Sequence, residues 1–287
     1  MSERESVGAE KKALLIEALS FIGRFKGTVV VIKYGGAAQE KETVKLSFIQ
    51  DVVLLQSLGM FPVVVHGGGP EVSRTMKDMG LEAAFIEGLR VTTPEGLRVT
   101  EMVLSGRVNK ELVGLLQANG GNALGLSGKD GGLIRARKLG PVGGVDLGLV
   151  GEVDTVDTSV VTMLLEKGYI PVISPIGMGE DGITFNINAD NVASRVASAL
   201  KAERMIFMTD VEGVMDDGAL VTSLTAAEAL RLIDQGVISG GMVPKVEAML
   251  HCLNNGVGSA TIINGAEPHA IISELFTVKG VGTQITP

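Results

Sequence analysis

From residue 28 onward the chain repeats one pattern, in which a short β-branched apolar run leads into a glycine-containing turn and then into a stretch with helical periodicity. Examples are TVVVIKYGG before KLSFIQDVVLLQSLG, and FPVVVHGGG before PEVSRTMKDMG. This order is typical of βαβ units, and runs that are apolar at every position indicate strands buried on both faces. The chain is therefore predicted to be an α/β protein, a three-layer sandwich around a central, mostly parallel sheet.

Some segments depart from this pattern. Residues 133–156 and 177–188 alternate with period two around glycine-rich turns, which favours antiparallel hairpins at the sheet edges. The second segment contains the spacing G-x-G-x-x-G, but no helix follows it, so a hairpin turn is favoured over a dinucleotide-binding loop. Within residues 1–27 an amphipathic helix is predicted, because apolar side chains recur there at helical spacing. These side chains are Leu14, Leu15, Ala18, Leu19, Ile22 and Phe25.

Composition argues against several classes of protein. A formal net charge of −8 and 3% aromatic residues offer neither the basic surface nor the stacking platforms of a nucleic-acid-binding protein. The apolar runs are far shorter than the ~20 residues of a membrane-spanning helix. One cysteine and a polar start of the chain indicate a reducing, cytoplasmic compartment. Widely separated histidines argue against a protein-ligated metal, and Asp130 after Gly128–Lys129 excludes a Walker-type loop.

Two glycine clusters each follow an apolar strand and precede a helix, namely Gly35–Gly36 after VVVIK and Gly67–Gly69 after FPVVV. Glycine lets the backbone approach a ligand closely, and N–H groups at a helix N-terminus favour phosphate oxygens. The alternative is that these glycines only turn the chain. Lys33 favours the ligand, because a lysine within an apolar strand end needs an anion near it. The two clusters are therefore predicted to bracket a phosphoryl group.

Other polar residues stand where an anionic ligand would account for them. Asn186, Asn188 and Asp190 immediately precede a predicted helix and are either N-caps or part of a site. Lys245 lies near the start of another predicted helix, where the helix dipole opposes a cation unless an anion is near. Arg90 is either a surface charge or a bidentate partner for a carboxylate. Together these residues indicate a site for anions.

The motifs IKYGG, VVHGGGP, GLRVT, FNINAD, MTDVEG and GGMVPKV occur in this order. On these motifs the chain, from about residue 10 to its C-terminus, resembles the amino-acid kinase superfamily, and within it the branch that acts on N-acetyl-L-glutamate. Ala37–Ala38 stand where the related aspartokinases usually carry Thr-Ser. The resemblance implies the amino-acid kinase fold, with an N-terminal helix extension in residues 1–27, an acceptor-binding lobe in 28–185 and an ATP-binding lobe in 186–287.

The same resemblance implies an activity and roles for the residues above. ATP would phosphorylate the side-chain carboxylate of N-acetyl-L-glutamate, an early step of arginine biosynthesis, with Mg²⁺ held mainly by the ATP phosphates. Lys33 and Lys245 would neutralise charge on the transferring phosphoryl group, and Asp190 would hold both lysines. The implied substrate-binding residues are Gly68, Gly69, Arg90 and Asn186, with Gly68 also donating a backbone hydrogen bond to the phosphoryl group. The implied phosphate- and ATP-binding residues are Gly35, Gly36, Thr209, Asp210 and Gly213.

Regulation is implied by the two ends of the chain, which resemble those of arginine-inhibited members. In those proteins N-terminal helices link three dimers into a hexamer, and L-arginine binds between the helix and the C-terminal lobe. The matching segment here contains His269, Glu274 and Gly282, with Glu274 as the partner for a cationic ligand. Phe21 departs from the family, which often has Tyr there, so the sensitivity to arginine is expected to differ. The alternative is that the helix packs only on its own domain.

Two other functions stay open from the sequence. One is the same chemistry with another acceptor, such as an aminoadipate derivative, glutamate or aspartate. The other is a non-catalytic arginine-sensing module, which the intact Lys33, Lys245 and Asp190 disfavour. The sequence also leaves open whether a PII signalling protein is a partner.

Overall fold

The computed structural model describes residues 12, 16, 19–35, 41–278 and 280–287. Its strands are, in chain order, β1 (Val29–Tyr34), β2 (Phe61–His66), β3 (Phe85–Ile86), β4 (Leu89–Arg90), β5 (Ala123–Ser127), β6 (Ile134–Lys138), β7 (Val150–Val156), β8 (Ile170–Ser174), β9 (Ile176–Met178), β10 (Thr184–Ile187), β11 (Arg204–Thr209), β12 (Met215–Asp216), β13 (Ala219–Leu220), β14 (Ser223–Thr225), β15 (Ser259–Asn264) and β16 (Thr283–Thr286).

The helices are α1 (residues 19–25), α2 (Glu42–Ser57), α3 (Gly69–Asp78), α4 (Pro94–Glu101), α5 (Asn109–Ala118), α6 (Ser159–Glu166), α7 (Ala189–Leu200), α8 (Ala226–Asp234), α9 (Val243–Asn254) and α10 (Ala270–Phe276). A π-helix, Met102–Val108, joins α4 to α5, so that one long helical stretch runs from Pro94 to Ala118. Short 3₁₀ turns precede β6 and α9.

The central sheet has, among the described residues, eight strands in the order β14-β16-β15-β11-β1-β2-β8-β5. Every neighbouring pair is parallel except β15 with β16. The predicted α/β class with a mostly parallel central sheet is therefore confirmed. The lobe border predicted between residues 185 and 186 falls within β10, and the sheet itself continues across both predicted lobes through the pairing of β1 with β11.

Each face of the sheet carries a layer of helices, because alternate residues of a strand point to opposite faces. Val31 of β1 packs into a core with α7 and α9, whereas its neighbours Val30 and Ile32 pack into a second core with α2, α5 and α10. All three valine and isoleucine side chains are fully buried. The apolar character of the central strands thus follows from burial on both sides.

The two segments with period-two alternation do form antiparallel pairs, β6 with β7 and β9 with β10. The prediction that they lie at the edges of the sheet is wrong. The two pairs join through β7–β10 and β6–β9 into a closed four-stranded barrel. Closure satisfies backbone groups that an added edge hairpin would leave exposed. The barrel ends at Ile187, so it delivers the chain directly to the start of α7.

The N-terminal helix is described only in part. Residues 19–25 are helical, and Phe25 at their end is buried against the sheet, whereas Leu19 is exposed. Leu14, Leu15 and Ala18 of the predicted apolar stripe lie outside the described residues. No helix in the described part of the chain has the length and apolarity needed to cross a bilayer.

Candidate active site

The predicted site residues gather at the carboxyl ends of the central strands. From β1 the chain continues to β2 on one side of the sheet, whereas β11, which follows α7, lies on the other side. In open α/β sheets, ligands bind at such a switch point, in the crevice outside the carboxyl ends of the strands. Lys33 lies near the end of β1, the glycine turn at 67–69 follows β2, and Thr209 ends β11.

A carboxylate between two lysines forms the centre of the site. Asp190 Oδ2 accepts a hydrogen bond of 3.0 Å from Lys245 Nζ, and Asp190 Oδ1 lies 3.1 Å from Lys33 Nζ, off the hydrogen-bond direction. The three side chains are largely buried, with 11%, 15% and 23% exposure for Lys33, Asp190 and Lys245. Burial opposes ionisation of Asp190, but the charges of both lysines outweigh it, so the pKa of Asp190 lies below its ordinary value.

The start of α7 sets the position of this carboxylate. The Asn188 side chain caps the helix and accepts hydrogen bonds from the backbone N–H groups of Asp190 and Asn191. An acidic residue in the first turn also suits the positive end of the helix dipole. The N-cap interpretation of this motif is therefore correct for Asn188, while Asp190 is free to bond the lysines. One carboxylate for two cations leaves a net positive charge in the site.

Gly35, two residues after Lys33, makes room for the lysine side chain. A Cβ atom at Gly35 would lie 2.5 Å from Lys33 Nζ and 3.0 Å from its Cε. Any other residue at position 35 would therefore require the end of the Lys33 side chain to shift. Gly36, the second residue of the predicted pair, lies outside the described residues, as do Ala37 and Ala38.

The second glycine turn joins β2 to α3. The Gly67 N–H donates a 2.8 Å hydrogen bond to the Tyr34 carbonyl at the end of β1, which ties the two strand ends together. Gly68 has φ of 154°, and a Cβ atom there would lie 2.7 Å from Leu104 Cδ2. Within the described residues neither a backbone nor a side-chain acceptor takes the Gly68 N–H. This turn therefore places an unused donor at the N-terminus of α3, where anions bind favourably.

Arg90 and Asn186 line a cavity of about 170 Å³ next to this turn. Arg90 is 8% exposed and donates hydrogen bonds to the Gly69 carbonyl (2.9 Å) and to Ser73 Oγ (2.7 Å). Burial lowers its pKa, and no carboxylate of the described residues pairs with it. Asn186 Nδ2 donates to Thr92 Oγ1 at 3.2 Å. A buried guanidinium without an acidic partner suits an anionic ligand.

A larger cleft of about 970 Å³ adjoins this cavity and contains Asp190 and Lys245. Gly88, Leu89 and Asn188 line both spaces, so the two are neighbours. Lys245 reaches Asp190 from the first turn of α9, just after a 3₁₀ turn formed by two glycines and a methionine. The structure therefore brings Arg90, Asn186, Asp190 and Lys245 into one region.

The residues predicted to bind nucleotide lie at and after the end of β11. Thr209 is buried and donates a 3.0 Å hydrogen bond to Asp210, which is exposed. Gly213 has φ of 152° and lies against β16, because a Cβ atom there would be 2.5 Å from Thr283 Oγ1. Since β11 is the neighbour of β1, this segment lies beside the strand that carries Lys33. It does not line either of the two spaces described above.

Two of the three residues assigned to regulation, Glu274 and Gly282, lie together, whereas His269 lies apart. Glu274 lines a separate cavity of about 370 Å³ between α1, α10 and the sheet edge, with Phe21, Arg24 and Arg204. Gly282 touches this carboxylate, since the Val281 and Gly282 N–H groups donate to Glu274 Oε2 at 2.9 and 3.3 Å. His269 instead bonds Asp51 of α2, at 2.6 Å, and is not part of the cavity lining.

Sequence reasoning missed several residues around the site. Ser73 Oγ accepts a hydrogen bond from Arg90, whose guanidinium also stacks on the Phe85 ring at 4.7 Å. Asn109 lies fully buried behind the glycine turn and bonds His66. The one sequence signal for this contact was Asn109 itself, a polar residue within the helical stretch from 94 to 118. Polar residues are rarely buried without a partner.

Comparison with known proteins identifies the family. Residues 28–264 match the amino acid kinase family. The chain is 50% identical over 286 residues to the acetylglutamate kinase of Syntrophobacter fumaroxidans, with 96% of each chain covered. Its fold matches N-acetylglutamate synthase of Neisseria gonorrhoeae complexed with coenzyme A and N-acetyl-glutamate, with a TM-score of 0.85 and 28% identity over 96% of this chain.

A second structure of that synthase, complexed with coenzyme A and L-arginine, matches with a TM-score of 0.81 and 26% identity, again over 96% of this chain. The chain spans 63% and 65% of the length of the synthase in the two structures. Its match to the Syntrophobacter kinase, by contrast, runs over nearly the full length of both proteins. The chain belongs to the amino acid kinase family and, within it, to the acetylglutamate kinases.

Proposed function

We propose that the chain transfers the γ-phosphoryl group of ATP to the side-chain carboxylate of N-acetyl-L-glutamate, giving ADP and an acyl phosphate, as an early step of arginine biosynthesis. One observation carries this proposal: Lys33 and Lys245 converge on Asp190 beside a cavity whose buried cation, Arg90, has no acidic partner among the described residues. Two lysines at one carboxylate are poised to meet a more highly charged anion.

The chemistry requires only groups that the site contains. A side-chain carboxylate has an ordinary pKa of about 4.3, so at neutral pH it is already ionised and needs no general base. Its phosphorylation requires the alignment of two anions that repel each other, and positive charge on the oxygens between them. Lys33 and Lys245 supply that charge, and the free Gly68 N–H supplies a directed donor.

The acceptor is assigned to the cavity of Arg90 and Asn186. The Arg90 guanidinium would bind the α-carboxylate, which is the end of the acceptor that does not react. The Asn186 side chain and the backbone groups of Gly68 and Gly69 line the same cavity and would bind the remaining polar groups. In this arrangement the reacting carboxylate points toward Lys33 and the glycine turn.

ATP is assigned to the C-terminal part, residues 186–287, with Thr209, Asp210 and Gly213 near the nucleotide and the acceptor lobe in residues 28–185. The phosphates would bind at the positive centre formed by Lys33 and Lys245. Mg²⁺ would be held mainly by the ATP phosphates, where it adds positive charge to the transferring group. In the described residues no group of three or more His, Cys, Asp or Glu side chains gathers as a metal site.

A turnover assay with four acceptors tests this proposal. N-acetyl-L-glutamate, glutamate, aspartate and UMP are offered separately with ATP and Mg²⁺, and acyl phosphate is trapped with hydroxylamine. The expected result is hydroxamate from N-acetyl-L-glutamate far above the other acceptors. Equal or greater turnover with glutamate or aspartate would assign the acceptor differently, and no hydroxamate with any of the three carboxylates would remove the activity.

We further propose that L-arginine inhibits the enzyme by binding the cavity at Glu274. Arg24 and Arg204 line it together with Glu274, so it offers cations to the α-carboxylate of an amino acid and one carboxylate to its guanidinium. Burial lowers the pKa of Arg204, and its Nε has no hydrogen-bond partner among the described residues. The structure of the related synthase in complex with L-arginine supports this choice of ligand.

Assembly into a hexamer through the N-terminal helix accompanies this proposal. Light scattering of the full chain and of a chain without residues 1–20 tests it. That truncation keeps Phe25, which is buried in the core and would otherwise be lost. A hexamer that becomes a dimer on truncation is the expected result, and a full chain that is already a dimer would contradict it.

A further inference from the structure

The glycine turn that carries Gly68 is held from behind by two buried polar side chains. His66 and Asn109 are both fully buried. His66 Nδ1 lies 2.8 Å from the Gly67 carbonyl, and His66 Nε2 lies 3.1 Å from Asn109 Nδ2. Polar groups without solvent are kept only where hydrogen bonds compensate for their desolvation, and here the bonds lead directly to the turn.

The two hydrogen-bond partners of the His66 ring determine which of its nitrogens carries the proton. The Gly67 carbonyl can only accept, so Nδ1 must donate to it, and Nε2 must then accept from the Asn109 amide. Burial, the largest cause, lowers the pKa of His66 to about 4, so the ring is neutral at physiological pH. A neutral ring in this tautomer gives one donor and one acceptor, and both are used.

Asn109 is anchored to the sheet on its other side. Its Nδ2 also lies 2.9 Å from the Val172 carbonyl, in the middle of β8, and 3.3 Å from the Leu126 carbonyl, near the end of β5. Its Oδ1 accepts from Lys110 Nζ at 3.0 Å. A Cβ atom at Gly125 would overlap this oxygen, so the missing side chain there makes room for Asn109. The asparagine thus links His66 to two neighbouring strands.

The π-helix between α4 and α5 brings these residues to the turn. Leu104 and Val108, which belong to it, are the side chains closest to a Cβ atom built at Gly68. Asn109 follows directly and lies on the buried face with Leu112 and Leu116. Single π-helical turns within α-helices occur frequently at functional sites.

The hydrogen bond to the Gly67 carbonyl determines the direction of the next donor. A trans peptide unit is planar, so its C=O and N–H groups point in opposite directions. With the Gly67 carbonyl turned toward His66, the Gly68 N–H is turned away from the ring. The Gly67 N–H is fixed separately by the Tyr34 carbonyl, so the peptide units before and after Gly67 are both oriented. A glycine turn without such restraints would be free to reorient its peptides.

We propose that His66 and Asn109 are positioning residues, which orient the Gly67–Gly68 peptide so that the Gly68 N–H faces the transferring phosphoryl group. The inference rests on the proposed function for the group that the donor meets. A donor aimed before the reaction stabilises developing charge without a reorganisation cost. Loss of the restraint is therefore expected to slow the chemical step more than it weakens substrate binding.

Two variants of equal shape separate positioning from packing. In His66→Asn the amide nitrogen can replace Nδ1 as donor to the Gly67 carbonyl, whereas His66→Leu has nearly the same shape and no donor. Both variants leave a similar space and remove the partner of Asn109. The expected kcat of His66→Leu is roughly tenfold or more below that of His66→Asn, by comparison with the larger loss when a whole charge-stabilising donor is removed. Michaelis constants for both substrates should stay similar.

Binding of ADP with aluminium fluoride and Mg²⁺, a mimic of the transferring phosphoryl group, gives a second readout. Its affinity should fall in His66→Leu in parallel with kcat, while the affinity for ADP alone stays unchanged. Equal kcat values for the two variants, or a loss that follows their unfolding temperatures, would overturn the proposal. If the native chain gives no acyl phosphate, the proposed function fails, and this binding comparison still tests the orientation of the turn.

The native chain provides a test that does not depend on variants. The protein has three histidines, so ¹⁵N labelling of histidine resolves each ring by NMR. One ring, assigned to His66 by its loss in His66→Asn, is expected to show a protonated Nδ1 and to remain neutral from about pH 5 to 8, where unperturbed histidines titrate. A ring protonated on Nε2, or one that titrates in this range, would contradict the hydrogen bond to Gly67.

Discussion

The central site and the Glu274 cavity each bring two cations and one carboxylate together, but the carboxylate has different partners in the two. In the central site Asp190 already forms ion pairs with two lysines, and all three residues lie near a strand end or at a helix start. In the cavity, Glu274 bonds backbone N–H groups instead of Arg24 or Arg204. The first arrangement is organised before a ligand arrives, and the second leaves its charges available to the ligand.

This difference in charge pairing corresponds to the different requirements of catalysis and regulation. Transition-state stabilisation depends on charges that are already in place, so a buried, mutually bonded cluster suits catalysis. A regulatory ligand acts only if it binds one state of the protein better than another, so a cavity between an N-terminal helix and α10 suits control. Each of the following predictions separates these two kinds of site, beginning with the largest expected effect.

Removal of either central lysine should nearly abolish turnover. Lys33→Ala and Lys245→Ala are each expected to lower kcat roughly a hundred- to a thousandfold, as for loss of one preorganised charge-stabilising donor. Coupled ATP turnover measures the loss, and circular dichroism verifies the fold. Lys77→Ala, at an exposed position on α3, is the matched control and should keep normal kcat. Near-normal turnover in a folded Lys33→Ala chain would refute the central assignment.

Loss of the central carboxylate should destabilise the fold in a pH-dependent way. Asp190→Asn leaves two buried lysines without their partner, and the free energy of unfolding at neutral pH should fall by about 3 kcal/mol. The folded-state pKa of Asp190 lies below the ordinary value of 3.8. The ionised carboxylate therefore contributes fully to the free energy of unfolding at any pH above 3.8, and this contribution is lost as the pH falls through the lower folded-state pKa.

Denaturant titrations at neutral pH and at successively lower pH measure this difference. The difference in free energy of unfolding between the native chain and Asp190→Asn should disappear only at a pH below the ordinary carboxyl pKa. Asp146→Asn, which removes an exposed partner of Lys138, is the control and should change stability little at neutral pH. A gap that is constant across the whole range would show that the charge of Asp190 is not the cause.

Arg90→Lys should weaken acceptor binding selectively. A lysine cannot hold the Gly69 carbonyl and Ser73 while presenting a fork to a carboxylate, so the KM for the acceptor should rise roughly tenfold. The KM for ATP should stay nearly constant, as measured by initial rates. Arg137→Lys, an exposed barrel position paired with Glu152, should change neither constant. Equal changes in both constants would make Arg90 a structural residue.

Glu274→Gln should produce the smallest effect, confined to inhibition. The amide oxygen can still accept from Val281 and Gly282, but the negative charge is lost. The arginine concentration for half-maximal inhibition should rise about fivefold, or ~1 kcal/mol, while kcat without arginine stays the same. Glu267→Gln, outside the cavity, is the control. Unchanged inhibition in Glu274→Gln would remove the carboxylate from the arginine site.

Most of the central site could be predicted because its residues are local to strand ends. Lys33 and Gly35 lie within one short segment, and Asn186, Asn188 and Asp190 within another. A parallel sheet brings the carboxyl ends of its strands to one edge, so the pattern alone places these segments together. Of the residues at the Glu274 cavity, the sequence named Glu274, Phe21 and the adjacent Gly282, but neither of its two arginines. Its cations Arg24 and Arg204 are 180 positions apart in the chain, as their numbers give, and no local pattern connects them.

The sequence by itself determined the class of fold, the alternation of strands and helices, and which glycines and charged residues stand at strand ends and helix starts, because hydrophobic periodicity and glycine positions are local properties. The tertiary structure alone decided the order of the strands, the closure of two hairpins into a barrel, and the pairing of His66 with Asn109. Such contacts join residues distant in the chain, and each residue satisfies its polar groups only with partners that folding brings close.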